Sequence, residues 1–148
     1  MNLASRSMQE QDLAAVIQIE AAAYPQPWSE AIFRDCLKAD CHCTLYEREG
    51  ELVGYSVMSM AAGEAHVLNL CIRPECQGAG LGRAVLEQVL MVAGSRHTGT
   101  VFLEVRVSNL AARRLYESAG FNEIGQRFNY YPAAKGREDA LVFAKALV

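Results

Sequence analysis

The sequence lacks any uncharged apolar run near the roughly 18 residues that a membrane-spanning helix needs. Its first residues, MNLASRSMQEQDL, also lack the continuous apolar segment of a signal peptide. Charged residues make up 21% of the chain and hydrophobic ones 51%, which excludes a disordered chain. The net charge of −3 gives no general attraction to nucleic acid or to an anionic membrane surface. These features predict a cytoplasmic protein that binds neither nucleic acid nor membrane directly.

Cysteine is present in an odd number, five, which does not suit an extracellular disulfide framework. Cys41-His42-Cys43 could offer metal ligands, with Cys36 as a third thiol. However, no second Cys/His pair at zinc-ribbon spacing follows, and strand alternation would point His42 away from both neighbouring cysteines. We therefore expect reduced, mostly buried thiols and no metal.

The sequence also lacks repeats, low-complexity tracts and Ser/Gly/Pro-rich linkers, so we expect a single domain over residues 1–148. The apolar spacing predicts a mixed α/β fold in the order β-α-α-β-β-β-α-β-α-β-β. Ser29 is a favourable N-cap for the second helix, and Gly120 is the expected residue after the end of the fourth. The predicted strands are 3–7, 44–48, 52–60, 65–72, 101–107, 121–129 and 140–146.

A glycine-rich loop, RPECQGAGLGR at 73–83, joins an apolar strand to a predicted helix. Free backbone N–H groups at such a helix start form a site for a phosphate or pyrophosphate, and Arg83 would add positive charge. The dinucleotide pattern G-x-G-x-x-G does not fit, because Arg83 or Val85 stands where its last glycine should be. No Gly-Lys-Ser/Thr tripeptide completes a P-loop. From the loop alone, anion binding and plain close packing of helix on sheet both stay open.

Several further motifs accompany the loop pattern QGAGLG at 77–82. They are LEVR at 103–106, SN at 108–109, LYES at 115–118 and GF at 120–121, with WSE at 28–30, NYYP at 129–132 and GREDA at 136–140. With them the sequence resembles the GNAT acyltransferase superfamily and, within it, the RimI-type enzymes, which acetylate the N-terminal alanine of a small-subunit ribosomal protein. The resemblance extends over nearly the whole chain. It implies a mixed, mostly antiparallel central sheet flanked by helices.

The resemblance further implies acetyl-CoA as acetyl donor and a protein N-terminus as acceptor. The pyrophosphate of CoA would lie on the glycine loop, and backbone N–H groups at the end of the preceding strand would bind the pantetheine and polarise the thioester carbonyl. The implied cofactor-binding residues are Leu70, Cys71, Ile72, Gly78, Ala79, Gly80, Leu81, Gly82, Arg83 and Asn109.

Glu104 is the candidate general base for deprotonating the acceptor amine. It lies in an otherwise apolar strand, where we expect desolvation to raise the pKa of its carboxyl. By periodicity alone, a solvent-facing residue paired with Arg106 is the favoured interpretation. The resemblance favours the base, because the RimI-type base falls on this glutamate.

Tyr116 is the candidate general acid, which would protonate the departing thiolate. It shares a helix face with Asn109 and the small Ala112, an arrangement that can line a narrow groove. A core tyrosine and an Asn that simply caps the helix are the alternatives. The resemblance assigns Tyr116 as proton donor and Asn109 as a CoA contact.

Three questions stay open at this level. A covalent route through Cys71 is conceivable, but no partner at readable spacing activates the thiol, so we expect direct transfer. Either Tyr130 or Tyr131 could border the acceptor slot. A non-catalytic acetyl-CoA sensor and a small-molecule amine acetyltransferase are the alternative functions.

Overall fold

The computed structural model describes residues 2–147, and its helices and strands follow the predicted order. The helices are α1 (Leu13–Ala23), α2 (Glu30–Lys38), α3 (Leu81–Ser95) and α4 (Leu110–Ser118). The strands are β1 (Ala4–Ser7), β2 (His42–Arg48), β3 (Glu51–Ala61), β4 (Glu64–Ile72), β5 (Thr100–Arg106), β6 (Asn122–Pro132) and β7 (Arg137–Ala146). Short 3-10 turns precede α1 and follow β4.

Local signals fix two of the helix boundaries. The Ser29 side chain accepts a hydrogen bond of 3.3 Å from the Ile32 amide at the start of α2. After α4 the chain turns at Gly120, whose φ of +95° is accessible to glycine at little cost. Both predicted boundary residues are confirmed.

The strands form one mixed sheet in the order β1-β2-β3-β4-β5-β7-β6. Within residues 2–147 the pair β4–β5 is the one parallel pair, so the expected mostly antiparallel sheet is confirmed. That pair is short, since β4 and β5 are in register only from Glu64–Thr100 to Val67–Leu103. Beyond this point the carboxyl ends of the two strands are not paired with each other.

Apolar clusters cover both faces of the sheet. Leu86 and Val89 of α3 pack with Leu103 on one face. Val16 of α1 and Phe33 of α2 pack on the other. The strand residues buried in this second cluster come from β2, β3 and β4, and none comes from β5, β6 or β7. On the α1–α2 side, therefore, the helices leave the β5–β7 part of the described sheet uncovered.

The strand predicted over 121–129 is longer in the structure and includes the whole NYYP segment, whose last three residues lie beyond the predicted end. This strand is β6, which continues to Pro132 and pairs Tyr131 with Glu138. Between the pairs Arg127–Ala140 and Tyr131–Glu138, residues 128–130 of β6 stand opposite Asp139 alone. This three-residue bulge explains the error, because it breaks the alternation by which a strand is recognised.

Side chains of β7 hold the bulge in place. Asp139 accepts hydrogen bonds from the Asn129 amide at 2.8 Å and from the Gln126 side chain at 2.9 Å. The Arg137 guanidinium donates to the carbonyls of Asn129 and Tyr130 at 2.7 and 2.8 Å. The bulge is therefore a defined structure at the edge of the sheet.

The helices of the described residues include none long and apolar enough to cross a membrane. Of the five free cysteines, Cys43 and Cys71 are buried and the other three are half-buried, so fewer thiols are buried than expected. Burial raises the pKa of Cys36 to about 11 and that of Cys43 to about 12. Between residues 2 and 147 no three His, Cys, Asp or Glu side chains are arranged to hold a metal ion.

Candidate active site

The glycine loop presents an uncapped helix start. Gly78 and Gly80 have φ values of +82° and +80°, in the left-handed region that favours glycine. Ser29 and Asn109 accept side-chain hydrogen bonds at the starts of α2 and α4, whereas Gly80 has no side chain to cap α3. The first N–H groups of an α-helix have no partner within the helix. Those of α3 are thus available to an anion, and the loop fits a pyrophosphate.

Two polar side chains of the loop are engaged within the protein. Arg83 donates to Ser118 at 3.0 Å and lies 3.3 Å from Glu87. Gln77 donates to the Ile72 carbonyl at 3.0 Å. Backbone amides at the start of α3 therefore remain as donors for an anion, and an Arg83 contact with phosphate stays a prediction.

Leu70, Cys71 and Ile72 lie at the end of β4, where this strand no longer pairs with β5. The opposite edge of β4 is held by β3, in which Gly54 pairs with Ile72. A Cβ atom at Gly54 would lie 2.4 Å from the Cys71 carbonyl oxygen, so only glycine permits this approach of the two backbones. The Tyr24 hydroxyl donates to the Leu70 carbonyl at 3.1 Å. The carbonyl of Leu70 is therefore occupied, and N–H donors are the expected ligand-binding groups of this edge.

Glu104 lies on β5 immediately beyond the last β4–β5 pair, with a side chain only 8% exposed. Its Oε2 atom is hydrogen-bonded to Nε2 of His66, and its Oε1 atom lies 3.3 Å from Nε of Arg127. Arg106 is not its partner, since that guanidinium binds Glu138 at 3.2 Å and stacks on Tyr131. The pairing of Glu104 with Arg106 that periodicity allows is wrong.

The electrostatics of Glu104 also differ from the expectation. Burial raises the pKa of the carboxyl, but the hydrogen bond and charge of His66 and the charge of Arg127 together outweigh it and lower the pKa. The expectation of a raised pKa is wrong, because it considered desolvation without the two cationic partners. Glu104 is therefore ionised at neutral pH and suited to hold an ammonium group.

Tyr116 is buried on α4, with its ring packed against Phe121 and Phe143 at centroid distances of 5.8 and 6.5 Å. Burial raises the pKa of its hydroxyl to about 12, so the group keeps its proton throughout the neutral range. Tyr116 thus occupies the core position that periodicity allows. Its protonated hydroxyl also has the chemistry of a proton donor.

A pocket of about 360 Å³ lies beside Glu104 on the uncovered part of the sheet. Phe102 and Val142 supply apolar surface, and the charged and polar wall consists of Glu104, His66, Arg127, Glu64 and Ser59. A carboxylate at the wall of a pocket of this size can receive the end of a peptide chain or a small amine.

Asn109 and the tyrosine pair complete the predicted site. The Asn109 side chain accepts a hydrogen bond of 3.1 Å from the Ala112 amide, so it serves as an N-cap, and its contact with CoA stays a prediction. Tyr130 and Tyr131 pack edge to face at 4.9 Å. Burial and then the charge of Glu104 raise the pKa of Tyr131, whereas Tyr130 is 43% exposed. Tyr131 is thus the half-buried member of the pair and senses the charge of Glu104, and the question of which tyrosine borders the acceptor slot stays open.

Sequence reasoning missed His66, Arg127, Tyr24 and the buried Glu20. A signal for Glu20 existed, because it continues the apolar helical stripe of Leu13 and Val16. A charged residue on such a stripe indicates a buried hydrogen-bond network. His66 and Arg127 gave no local signal, because they approach Glu104 only through the order of the strands.

The model of the Acetyltransferase (GNAT) family matches residues 13–121. The chain belongs to the GNAT family of acetyltransferases. Its relatives include the [ribosomal protein bS18]-alanine N-acetyltransferase of Escherichia coli K12, 40% identical over 138 residues and 93% of each chain. The enzyme of the same name from Salmonella typhimurium is 39% identical over 133 residues and 90% of each chain.

Solved structures agree with this GNAT assignment. The crystal structure of the ribosomal-protein-S18-alanine N-acetyltransferase from Escherichia coli superposes with a TM-score of 0.91 at 37% identity, over 98% of this chain and 94% of that one. Ard1 from Thermoplasma volcanium gives a TM-score of 0.90 at 23% identity, over 100% of this chain and 99% of that one. The second likeness shows the GNAT fold alone.

Proposed function

We propose that this GNAT protein transfers the acetyl group of acetyl-CoA to the N-terminal alanine of ribosomal protein bS18. The observation that carries the proposal is the ionised Glu104 carboxylate at the wall of a pocket, beside the unpaired ends of β4 and β5. An acceptor ammonium on this carboxylate would face a donor thioester lying between the strand ends. The 40% identity to bS18-alanine N-acetyltransferases supports the choice of acceptor.

The α3 amides and the backbone of Leu70, Cys71 and Ile72 hold the donor. Because successive N–H groups of a strand point to opposite edges and Cys71 faces β3, the N–H groups of Leu70 and Ile72 are the ones directed to the edge that β5 leaves unpaired. Gly78, Ala79, Gly80, Leu81 and Gly82 bring the backbone up to the pyrophosphate of the donor, and Arg83 and Asn109 contribute contacts from α3 and the start of α4. No metal takes part. The residues that act on protons are Glu104 and Tyr116.

The chemistry is a direct transfer. Glu104 accepts a proton from the α-ammonium, whose pKa of about 8 leaves much of it protonated at neutral pH. The freed amine then forms the new N–C bond as the C–S bond breaks, and the Tyr116 hydroxyl protonates the leaving sulfur. The second proton that the amine nitrogen loses on becoming an amide returns to the Tyr116 oxygen, and Glu104 releases the first to solvent. Burial raises the pKa of the Cys71 thiol to about 11, which favours this route over a covalent acyl-cysteine.

We further propose that residues 1–148 form a single N-acetyltransferase domain, since one sheet joins strands from Ala4 to Ala146. The cytoplasm is its expected place of work, because the proposed acceptor is a ribosomal protein.

The test is an acetylation assay with acetyl-CoA and synthetic peptides that carry the bS18 N-terminal sequence. We expect mass spectrometry to show one acetyl group on the α-amine of the peptide that begins with alanine. Peptides with a bulky first residue should react at least about tenfold more slowly, because a small pocket discriminates by size. Acetyl-CoA binding without acetylation of any peptide would indicate a sensor, and acetylation of small amines alone would indicate the small-molecule enzyme.

Glu104→Gln tests the base. We expect kcat to fall by about 100-fold or more, because the amide cannot accept the proton, while CoA affinity stays within about twofold. Glu123→Gln, on the exposed surface of β6, is the matched control and should keep the wild-type rate. A Glu104→Gln protein with near-normal kcat would refute the role of the base.

A further inference from the structure

His66 and Arg127 approach the Glu104 carboxylate from opposite sides of the pocket. His66, on β4, is hydrogen-bonded to Oε2, and Arg127, on β6, lies 3.3 Å from Oε1. The carboxylate is nearly buried, so these two side chains supply the positive groups that offset its desolvation. Each oxygen of the carboxylate thus has its own partner.

The two partners differ in how firmly their backbones are held. His66 lies within the paired part of β4, opposite Phe102 of β5 on one side and Ser59 of β3 on the other. Arg127 stands at the start of the bulge on β6, the edge strand, and its side chain is 55% exposed. The histidine contact is therefore anchored on both sides, whereas the arginine can leave the carboxylate for solvent.

We infer that His66 is a positioning residue for acetyl transfer: its Nε2–H holds Oε2 of Glu104, so that Oε1, from which the exposed Arg127 side chain can withdraw, is left to receive the acceptor ammonium. The inference rests on the proposed role of Glu104 as the base. It concerns a residue that neither the motifs nor the glycine loop include.

The arrangement meets the demands of the proton transfer. An ionised carboxylate has about four acceptor positions, and a donor on Oε2 restricts rotation of the group without occupying those of Oε1. The acceptor proton then moves from the ammonium nitrogen to Oε1, with His66 still bound to the other oxygen. A base fixed in orientation loses less entropy in reaching the transition state.

The charged surroundings of the pair are few and determine the sign of its pH dependence. Glu64 of β4 lines the same pocket, Arg127 faces it from β6, and the Tyr131 hydroxyl also responds to the charge of Glu104. The pocket residues of β3 and β7 do not titrate. A carboxyl whose pKa is lowered stays ionised to lower pH. Loss of the His66 donor must therefore raise the titration midpoint of Glu104, because Arg127 alone then opposes the rise in pKa that burial causes.

The first test is a carbon-13 NMR titration of the glutamate side-chain carboxyls, with the Glu104 signal assigned by its absence in Glu104→Gln. We expect His66→Ala to move the Glu104 midpoint to higher pH. His66→Gln, whose side-chain amide can donate to the same oxygen, should restore much of the wild-type position. His42→Gln, on β2, removes a histidine outside this pocket and should leave the midpoint unchanged.

The second test is the pH profile of kcat/KM with the alanine peptide. In His66→Ala the acid limb should move to higher pH, with kcat/KM roughly tenfold lower near pH 6 and nearer to wild type at pH 8. His66→Gln should again recover most of the rate. An unchanged NMR midpoint in His66→Ala would overturn the inference, as would an equal loss of kcat/KM at every pH, which indicates a structural role.

The NMR titration also separates the two proposals, because it needs neither acetyl-CoA nor an acceptor. A shifted midpoint in a protein that acetylates no peptide would support the His66–Glu104 coupling and remove the proposed function. An unshifted midpoint in a protein that acetylates the alanine peptide would support the proposed function and remove the His66–Glu104 coupling.

Discussion

At the scale of single residues, the environment of a group decides its chemistry more than its residue type does. Glu104 and Tyr116 are both largely buried, and burial acts on each towards a higher pKa. Two positive neighbours reverse this effect for Glu104, whereas Tyr116 lies among aromatic rings and keeps the raised value. Glu104 is therefore an ionised carboxylate and Tyr116 a protonated hydroxyl over the same neutral pH range.

Tyr116→Phe separates the hydroxyl from the ring. The ring packing against Phe121 and Phe143 is kept, so we expect the free energy of unfolding to change by less than about 1 kcal/mol. The kcat for acetyl transfer should fall by about 100-fold, because the leaving sulfur loses its proton donor. Stopped-flow kinetics and urea denaturation measure the two quantities. A large loss of stability with an unchanged kcat would show that Tyr116 is a core residue only.

The sequence predicts Glu104 and Tyr116 through local motifs, but it does not predict what surrounds them. His66 lies 38 residues from Glu104 along the chain and meets it through the parallel β4–β5 pair. No periodicity within one strand contains that information. The expected direction of the Glu104 pKa shift was wrong for the same reason. Desolvation of the carboxyl can be inferred from one strand, whereas the approach of His66 and Arg127, which lowers the pKa, cannot.

At the scale of elements, α3 differs from α2 and α4 in the residue that precedes it. A capping side chain would occupy the N–H groups that an anion needs. The left-handed glycine before α3 has no such side chain and therefore leaves these N–H groups free for the anion. Sequence reasoning finds such a loop readily, because glycines between a strand and a helix are a local signal. It could not show that Arg83 binds Ser118 and Glu87.

Gly78→Ala tests the conformation of the loop. A Cβ atom at Gly78 would meet nothing within 4 Å, so the cost comes from its φ of +82° and amounts to about 1–2 kcal/mol. We expect the Kd for CoA, measured by calorimetry, to rise about tenfold as the loop relaxes to another conformation. Gly94→Ala in α3 is the control: it has equal space and should stabilise the helix by about 0.5–1 kcal/mol without changing the Kd. Equal CoA affinities in both variants would contradict this account of the loop.

At the scale of the whole molecule, a buried carboxylate joins α1 to the sheet and to the segment before α2. Glu20 accepts hydrogen bonds from the Tyr55 hydroxyl at 2.6 Å, the Asn69 amide at 3.0 Å and the Trp28 backbone N–H at 2.8 Å. Glu20 itself is only 2% exposed. The same segment carries Tyr24, whose hydroxyl holds the end of β4. The geometry of β4 at the proposed acetyl-CoA site thus depends on the contacts of Glu20 in α1 and of Tyr24 directly after it.

Glu20→Ala should lower the free energy of unfolding by about 3 kcal/mol, because one buried and two half-buried donors lose their acceptor. Urea denaturation measures the change. Glu30→Ala, which removes an exposed carboxylate paired with Arg34 at 3.0 Å, is the control and should cost less than about 1 kcal/mol. Similar losses in the two variants would show that the Glu20 network contributes little to stability.

The order and type of the helices and strands could be read from the sequence, because most elements pack one face on a core and therefore show periodicity. The exception was the end of β6, where the bulge interrupts the strand and only Tyr131 is half-buried among exposed residues, so no alternation appears. The splaying of β4 from β5 could not be read either, since both strands still place apolar residues such as Leu70 and Val105 in or against the core past the point where their pairing ends.

The β6 bulge has a consequence beyond the pocket that it borders. Strands at the two borders of a sheet expose unpaired N–H and C=O groups, to which another chain can add a strand. At one border β1 has only four residues, too few to give a long template. At the other, β6 is long, and the pinned bulge at 128–130 interrupts the straight row of backbone groups. The turn of chain that positions the tyrosines thus also protects the protein against edge-to-edge aggregation.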